Sequence, residues 1–135
     1  MSDFTVYTAN QFLDWLTQGQ INQPPSKIYV GLINPNGTEI SGVFDQGRVE
    51  TSASQDWNKN SQTEVANVSK ILWQNPITSV QVQSVGLFDS DLNTGGDILV
   101  KTEVDNAPIN ILASGDPDVR IQAGELVFDI LDVTE

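Results

Sequence analysis

Residues 79–88 read SVQVQSVGLF, and this stretch decides the fold class. In its first half, valines alternate with polar residues, which is the period of two that a half-buried β-strand shows. In its second half, Val85 and Leu87 continue the alternation on the opposite parity. A change of parity within a strand predicts a bulge or bend, here near Ser84. The stretch therefore predicts extended chain in a sheet.

The same period of two recurs on both sides of this stretch. In residues 27–33, for example, the apolar side chains at alternate positions share one face. Turn-forming residues such as the Asn-Pro-Asn-Gly at 34–37 separate the strands. About seven or eight short strands at intervals of roughly 8–15 residues predict a mainly β protein, an antiparallel β-sandwich in a single domain of residues 1–135. The other predicted strands are 39–43, 48–52, 68–73, 97–104, 109–112, a short one that opens at 119, and 125–131.

One short amphipathic helix is predicted at about residues 9–18, ahead of the strands. Thr8 and Gln11 have the spacing of a capping box at its start, and Gly19 is suited to its end. A helix of about ten residues is marginal alone, so it needs an apolar partner. The helix is predicted either to cap one end of the sheet core or to dock on a neighbouring subunit. Its apolar face, at spacings of three and four, consists of Phe12, Trp15 and Leu16.

Residues 45–67 are polar and weakly patterned, and Trp57 is their one tryptophan. They are predicted to form a long excursion, with one edge strand at about 48–52. Long polar loops in compact domains are usually functional or mobile, and the sequence leaves both open here. Trp57 is the one aromatic residue considered as a candidate for an exposed contact, whereas Trp15 and Trp73 are predicted to lie in the core.

The composition removes most of the means of catalysis. The chain has no histidine and no cysteine. It therefore lacks the commonest general base near neutral pH, the commonest metal ligand, and the Ser-His and Cys-His nucleophile systems. Paired carboxylates occur in glycosidases, but two acids chosen from 18 form no specific pattern. The chain is predicted not to be an enzyme and to use no cofactor.

The charge balance is strongly acidic, with 18 Asp and Glu against 6 Lys and Arg and a formal net charge of −12. Such a field repels the phosphates of nucleic acids and anionic lipid surfaces. Neither nucleic acid nor membrane is therefore expected as a direct partner. The acidity is explained either by solubility, or by docking to a basic partner or divalent cations.

The beginning of the chain does not predict a targeting segment. The first residues, MSDF, lack the basic and apolar regions of a signal peptide. No run in the sequence approaches the ~20 apolar residues that a membrane span needs. We therefore expect a protein that is made in a cytoplasm and stays soluble.

Residues 89–97, DSDLNTGGD, place oxygen donors at alternate positions, as a calcium loop does. The match departs from an EF-hand, because the sixth position is Thr94 and the twelfth is Val100, where Gly and Glu are required. No helices are predicted beside the loop. A polar hairpin turn with two glycines is the simpler interpretation. The candidate metal ligands are Asp89, Asp91 and Asn93.

Several short segments follow one another in a recognisable order. The N-terminal helix is followed by PSKIYVGL at 25–32, EISG at 39–42 and the polar middle, and then by VGLFD at 85–89, Gly95-Gly96 with Ile98-Leu99, and IQAGEL at 121–126. This order, from about residue 11 to residue 132, resembles a family of small bacteriophage structural proteins described as tail-fibre-like or virion-associated. The resemblance brings no catalytic residues with it.

One region departs from the family pattern. Relatives have a Gly-rich run that leads into a Tyr-Xaa-Arg segment after the Ser-Gly pair, whereas this chain has GVFDQGR at 42–48. Phe44 and Arg48 are the candidates for those positions. The predicted interaction residues are Trp57, Phe44, Arg48, Phe12 and Trp15.

The resemblance implies a virion structural protein, assembled in the host cytoplasm, whose partners are other virion proteins. A tail fibre or baseplate-associated component is expected. The alternatives are a capsid decoration protein and, from another class, a carbohydrate-binding module that uses Trp57. Fibres and decorations are commonly threefold, and the edge strands of a sandwich must be covered. A homo-oligomer, and a trimer above other states, is therefore predicted.

Overall fold

The structure is a computed structural model that describes residues 3–19, 25–92, 95–113 and 118–129. The described part of the chain is mainly β, with one helix, as the sequence predicts. The helix α1 spans Val6–Gln18. The strands are β1 (Lys27–Ile33), β2 (Val49–Ser52), β3 (Trp57–Lys59), β4 (Glu64–Asn67), β5 (Ile71–Trp73), β6 (Val80–Val82), β7 (Ser84–Phe88), β8 (Ile98–Glu103), β9 (Ile109–Ile111), β10 (Val119–Ile121) and β11 (Val127–Asp129).

The described strands form four sheets, and every pairing between them is antiparallel. The largest sheet has the order β2-β1-β7-β8, and the smaller ones are β11-β4-β3, β10-β5 and β6-β9. Buried residues from all four sheets join one hydrophobic cluster. The predicted antiparallel, sandwich-like β architecture is confirmed, since the sheets enclose a common core.

Trp73, on β5, lies at the centre of this core and is 0% exposed. Its indole N–H donates a hydrogen bond to the Gly47 carbonyl at 3.1 Å, so the buried polar atom is satisfied. Val30 on β1, from a different sheet, is also 0% exposed. The core position predicted for Trp73 is confirmed.

The bend predicted near Ser84 is also confirmed. β6 ends at Val82 and pairs with β9, whereas β7 begins at Ser84 and pairs with β1 and β8. Gln83 lies between them, and its N–H donates to the Ile33 carbonyl at 2.8 Å. The change of parity therefore marks the residue at which the chain leaves one sheet and enters another.

The prediction of a long excursion over residues 45–67 is wrong, apart from its edge strand. That segment contains three strands, β2, β3 and β4, and β3 pairs with β4. Backbone pairing tolerates the polar side chains, because most of those on β3 and β4 lie at least partly in solvent. Asn67 is an exception at 3% exposed, and its side-chain oxygen accepts from the Leu126 N–H at 2.9 Å. The segment lacks the apolar alternation from which strands are predicted.

Two other predicted strands differ in the structure. Residues 39–43 form no strand, and only an isolated bridge joins Glu39 to Ile33. The closing strand is described as Val127–Asp129, and its predicted residues 130 and 131 lie outside the described part of the chain.

The helix begins three residues earlier than the sequence predicts. Thr5 is the N-cap, and its side chain accepts a hydrogen bond from the Thr8 N–H at 3.4 Å. Thr8, the predicted cap, instead donates its hydroxyl to the Leu99 carbonyl on β8 at 2.7 Å. Gly19 ends the helix in the left-handed conformation, as predicted. Within the described residues, no helix is long and apolar enough to cross a membrane.

The residues ahead of α1 cover the free edge of β8. Phe4 forms an antiparallel bridge with Val100, and the Lys101 N–H donates to the Asp3 carbonyl at 3.0 Å. β8 is the last strand of the largest sheet, so its outer edge would otherwise present unpaired backbone groups. This pairing fixes where α1 begins relative to the sheet.

Candidate functional site

Arg48 and Glu39 form a buried ion pair at one end of the largest sheet. The Arg48 side chain is 1% exposed and that of Glu39 is 9% exposed. The guanidinium Nη2 and Nε donate to the two carboxylate oxygens at 2.7 and 2.8 Å. Two parallel bonds of this kind are the strong, bidentate form of the Arg–carboxylate contact.

The rest of the Arg48 guanidinium is occupied by the loop after β7. Nη1 donates to the carbonyls of Ser90 and Gly95, both at 2.8 Å. The guanidinium carbon lies 3.7 Å from the centre of the Phe88 ring, which is a cation–π contact. Arg48 therefore connects the 89–97 loop to the body of the domain. Its side chain is thus engaged inside the domain, whereas the sequence predicts a contact with a partner.

Two glycines on neighbouring strands make room for this ion pair. Gly31 on β1 lies directly opposite Gly86 on β7. A Cβ at Gly31 would lie 2.8 Å from a Glu39 oxygen and 2.8 Å from the Phe88 ring. A Cβ at Gly86 would lie 3.1 Å from the same ring. The glycines of the YVGL and VGLF segments are thus explained by close packing.

The 89–97 loop, the candidate calcium site, is arranged as a hairpin turn. Asp89 Oδ1 accepts a hydrogen bond from the Asp97 N–H at 2.8 Å, so this oxygen is used by the turn itself. Asp91 is exposed, and Asn93 lies outside the described residues. Across the described ranges, no group of three or more acidic side chains is placed to hold a metal ion. The described residues show the hairpin turn, and metal binding by Asp89, Asp91 and Asn93 stays an untested prediction.

Gly96 is needed in this loop both for its backbone angle and for space. Its φ is 73°, and a Cβ would lie 2.5 Å from the Ser90 Cβ. We expect Gly96→Ala to lower the free energy of unfolding by more than about 2 kcal/mol, because left-handed strain of roughly 1–2 kcal/mol adds to the clash. Gly124→Ala is the matched control, since Gly124 has a φ of 82° and open space around it. Equal losses in urea denaturation would show that crowding at Gly96 has no effect.

Phe44 and Trp57, two predicted interaction residues, are both half-buried against the core. The Trp57 indole donates to the Thr51 hydroxyl at 2.8 Å, and its ring centre lies 6.1 Å from that of Phe128. The expectation of an exposed Trp57 is wrong, because β3 places it on the sheet. Trp57 is therefore not presented as an open sugar-binding platform.

One cleft on the surface has no charged and no aromatic residue in its lining. It has a volume of about 700 Å³ and lies beside the Asn34 turn and the β6–β9 sheet. Gln81 and Asn110 face each other across the paired strands, with their amides 2.8 Å apart. This lining offers amide hydrogen bonds but no acid, base or nucleophile. The lining residues are Asn34, Pro35, Asn36, Ser79, Val80, Gln81, Asn110, Ile111 and Leu112.

The apolar face of α1 is exposed in the described chain. No residue of the helix is buried. Phe12 is 45% exposed, Trp15 54% and Leu16 71%. The interpretation of α1 as a cap on the sheet core is therefore wrong, and Trp15 is not a core residue. The alternative interpretation, an arm that docks on a neighbouring subunit, remains a prediction.

The hydrogen bonds at the start of α1 explain why its apolar face stays outside the core. The threonines at its first turn attach it to β8 through backbone carbonyls, and the Phe12 ring stacks on Phe4 at 5.8 Å. Two threonines and the Phe12 ring thus make the contacts on this side of the helix, and they leave Trp15 and Leu16 exposed. The sequence reasoning missed Leu13, which is 56% exposed on the same face. Its spacing from Phe12 and Leu16 could have revealed it.

Glu39 is the other residue that sequence reasoning missed. It is an acidic residue between the turn at 34–37 and Ile40, which is buried. A lone charge beside a buried aliphatic residue is a signal for a paired, buried ion. The sequence does not identify Arg48 as the partner of Glu39. The two residues are nine positions apart and lie on no common helix or strand, so no periodic spacing links them.

Comparison with known proteins identifies the family. A protein-family model described as Podophage GP4 fiber I protein gp80 matches residues 3–129. No curated protein gives a significant match. The matched region includes α1, every described strand and the Arg48 cluster, and it confirms the predicted resemblance to tail-fibre-like phage proteins. The chain therefore belongs to the family of the Podophage GP4 fiber I protein gp80.

Proposed function

We propose that this protein is a structural component of a bacteriophage tail, a fibre or baseplate-associated subunit that assembles through protein–protein contacts. Membership of a phage fiber family supports the virion role. The observation that carries the assembly role is the exposed apolar face of α1. A large apolar surface on a soluble domain marks an interaction site.

A structural role also agrees with the chemistry of the chain. Without histidine or cysteine, catalysis would depend on carboxylates or lysines. The lining of the cleft beside the β6–β9 sheet contains neither. The buried ion pair of Arg48 and Glu39 is fully engaged in holding a loop, and so is not available for proton transfer. The chemistry of the chain therefore fits a protein that functions through protein–protein contacts and not through catalysis.

A capsid decoration protein is the second candidate, because the same assembly surface would serve on a head lattice. The two roles differ in copy number. A decoration protein approaches the copy number of the capsid protein, whereas a tail component is present in far fewer copies. The carbohydrate-binding alternative depends on an exposed Trp57, and this residue is half-buried and bonded to Thr51.

Quantitative mass spectrometry of purified virions tests the proposal. We expect the protein to be present at no more than about a tenth of the copy number of the major capsid protein, since tails carry few subunits of each kind. It should also remain with tails when heads and tails are separated. A copy number equal to that of the capsid protein would favour decoration. Absence from virions would overturn the structural role.

A further inference from the structure

We infer that the N-terminal strap, residues 3–5, opens and closes as one unit with α1 while the rest of the domain stays folded. In the closed state the strap joins two of the sheets and covers the outer edge of β8. In the open state that edge is free. This movement belongs to the domain itself and does not depend on which virion protein the domain contacts.

The strap is hydrogen-bonded to strands of two different sheets. On β8, in the largest sheet, the Lys101 N–H donates to the Asp3 carbonyl at 3.0 Å. On the same strand, the Leu99 carbonyl accepts from the Thr5 N–H at 3.2 Å. On β11, in the three-stranded sheet, the Asp129 carbonyl accepts from the Asp3 N–H at 3.0 Å, and the Asp129 N–H donates to the Asp3 carboxylate at 2.8 Å. The strap therefore links the two sheets as well as covering one edge.

The core of the domain does not depend on the strap or on α1. In the described chain, every buried residue of the hydrophobic cluster lies between positions 30 and 128. Phe4 packs against this cluster but is only half-buried, and α1 contributes no buried residue. Opening therefore breaks only the contacts of residues 3–19 with the body of the domain. A local opening of this kind costs less free energy than global unfolding.

Two features weaken the closed state. Asp129 Oδ1 is buried and has no hydrogen-bond partner among the described residues. A buried polar atom without a partner raises the free energy of the state that buries it. Beside Phe4 there is also a hollow of about 200 Å³, and the apolar part of its lining includes Val65, Val100 and Phe128. Phe4 does not fill this space, so the strap makes fewer dispersion contacts than a fully packed strand would make.

Opening changes what β8 presents to solvent. β8 pairs with β7 on one side, and the strap is its neighbour on the other. When the strap leaves, the Lys101 N–H and the Leu99 carbonyl lose their partners. Val100, which is 9% exposed in the closed state, loses its bridge to Phe4. A free strand edge can accept an extended segment of another chain, so the strap determines whether β8 is covered or available.

Native-state hydrogen exchange of the full chain, resolved amide by amide by NMR, tests the inference. The amides bonded across the strap are those of Asp3, Thr5, Lys101 and Asp129. We expect these amides to share one protection factor, at least about 100-fold lower than that of the amides of β1, which lies between two strands. Protection equal to that of β1 would mean that the strap opens only when the whole domain unfolds, and would overturn the inference. A complete lack of protection would also overturn it, because the strap would then not be closed in solution.

The variants Phe4→Ala and Leu16→Ala separate the strap from the rest of the N-terminal segment. Phe4→Ala removes the half-buried side chain of the strap and its stacking on Phe12, whereas Leu16 is 71% exposed. We expect Phe4→Ala to lower the protection of the Lys101 and Asp129 amides by at least about tenfold and to leave the amides of β1 unchanged. Leu16→Ala should change neither set. An equal loss of protection in both sets, or no loss in either, in Phe4→Ala would overturn the inference.

Discussion

Arg48→Met is expected to lower the free energy of unfolding by about 3–5 kcal/mol, the cost of removing one partner of a buried ion pair. The Glu39 carboxylate would remain in a site where it is 9% exposed, without its bidentate partner. The carbonyls of Ser90 and Gly95 would also lose their donor. Methionine retains much of the apolar stem, so the loss reports on charge and hydrogen bonding more than on packing.

Urea denaturation of the monomeric chain measures this effect, and a second ion pair supplies the control. Lys27 Nζ and Glu50 Oε2 lie 3.2 Å apart, but the two side chains are 56% and 57% exposed. Lys27→Met should change the free energy of unfolding far less than Arg48→Met does, because exposed ion pairs contribute little to stability. The double variant Glu39→Met/Arg48→Met should recover part of the loss, because no unpaired charge stays buried. Similar losses for Arg48→Met and Lys27→Met would contradict the buried role.

The Arg48–Glu39 ion pair is a feature that local sequence patterns do not predict, whereas they do predict the strands of residues 79–88. The alternation in residues 79–88 identified both strands and the bend between them, because period and parity are local properties. The Arg48–Glu39 pair is not local. It forms only when β1, β7 and the 89–97 loop are assembled around Gly31 and Gly86.

The strands at residues 57–67 were missed for a related reason. β3 and β4 are short, and their side chains are mostly polar, so the apolar alternation that marks a strand is absent. They are held by backbone pairing and by Asn67, whose amide donates to the Gln122 carbonyl at 3.0 Å. Contacts with a segment that lies 55 residues further along the chain are invisible to local pattern analysis.

The three tryptophans illustrate how far residue type alone is informative. The sequence predicts Trp15 and Trp73 in the core and makes Trp57 a candidate for an exposed contact. The structure places Trp73 in the core, Trp57 half-buried on a sheet, and Trp15 on an open helix face. Helical periodicity defines the apolar face that contains Trp15, but it does not say whether this chain or another copy covers it.

Trp73→Ala is expected to lower the free energy of unfolding by about 3–5 kcal/mol, because it leaves a large cavity in a core where Trp73 is 0% exposed. It also leaves the Gly47 carbonyl without its indole donor. Trp15→Ala is the matched control, since the same side chain is lost from a position that is 54% exposed. Its cost should stay below about 1 kcal/mol when the chain is dilute and monomeric.

Urea denaturation at two protein concentrations separates the two roles. The loss in Trp73→Ala should not change with concentration, because its contacts lie within one chain. The difference in unfolding free energy between Trp15→Ala and the wild type should grow as protein concentration rises. Association stabilises the folded wild type by mass action, and the variant associates less. A large loss in Trp15→Ala under dilute conditions would mean that α1 is held by its own domain. In that case the helix face would no longer be free for a second copy.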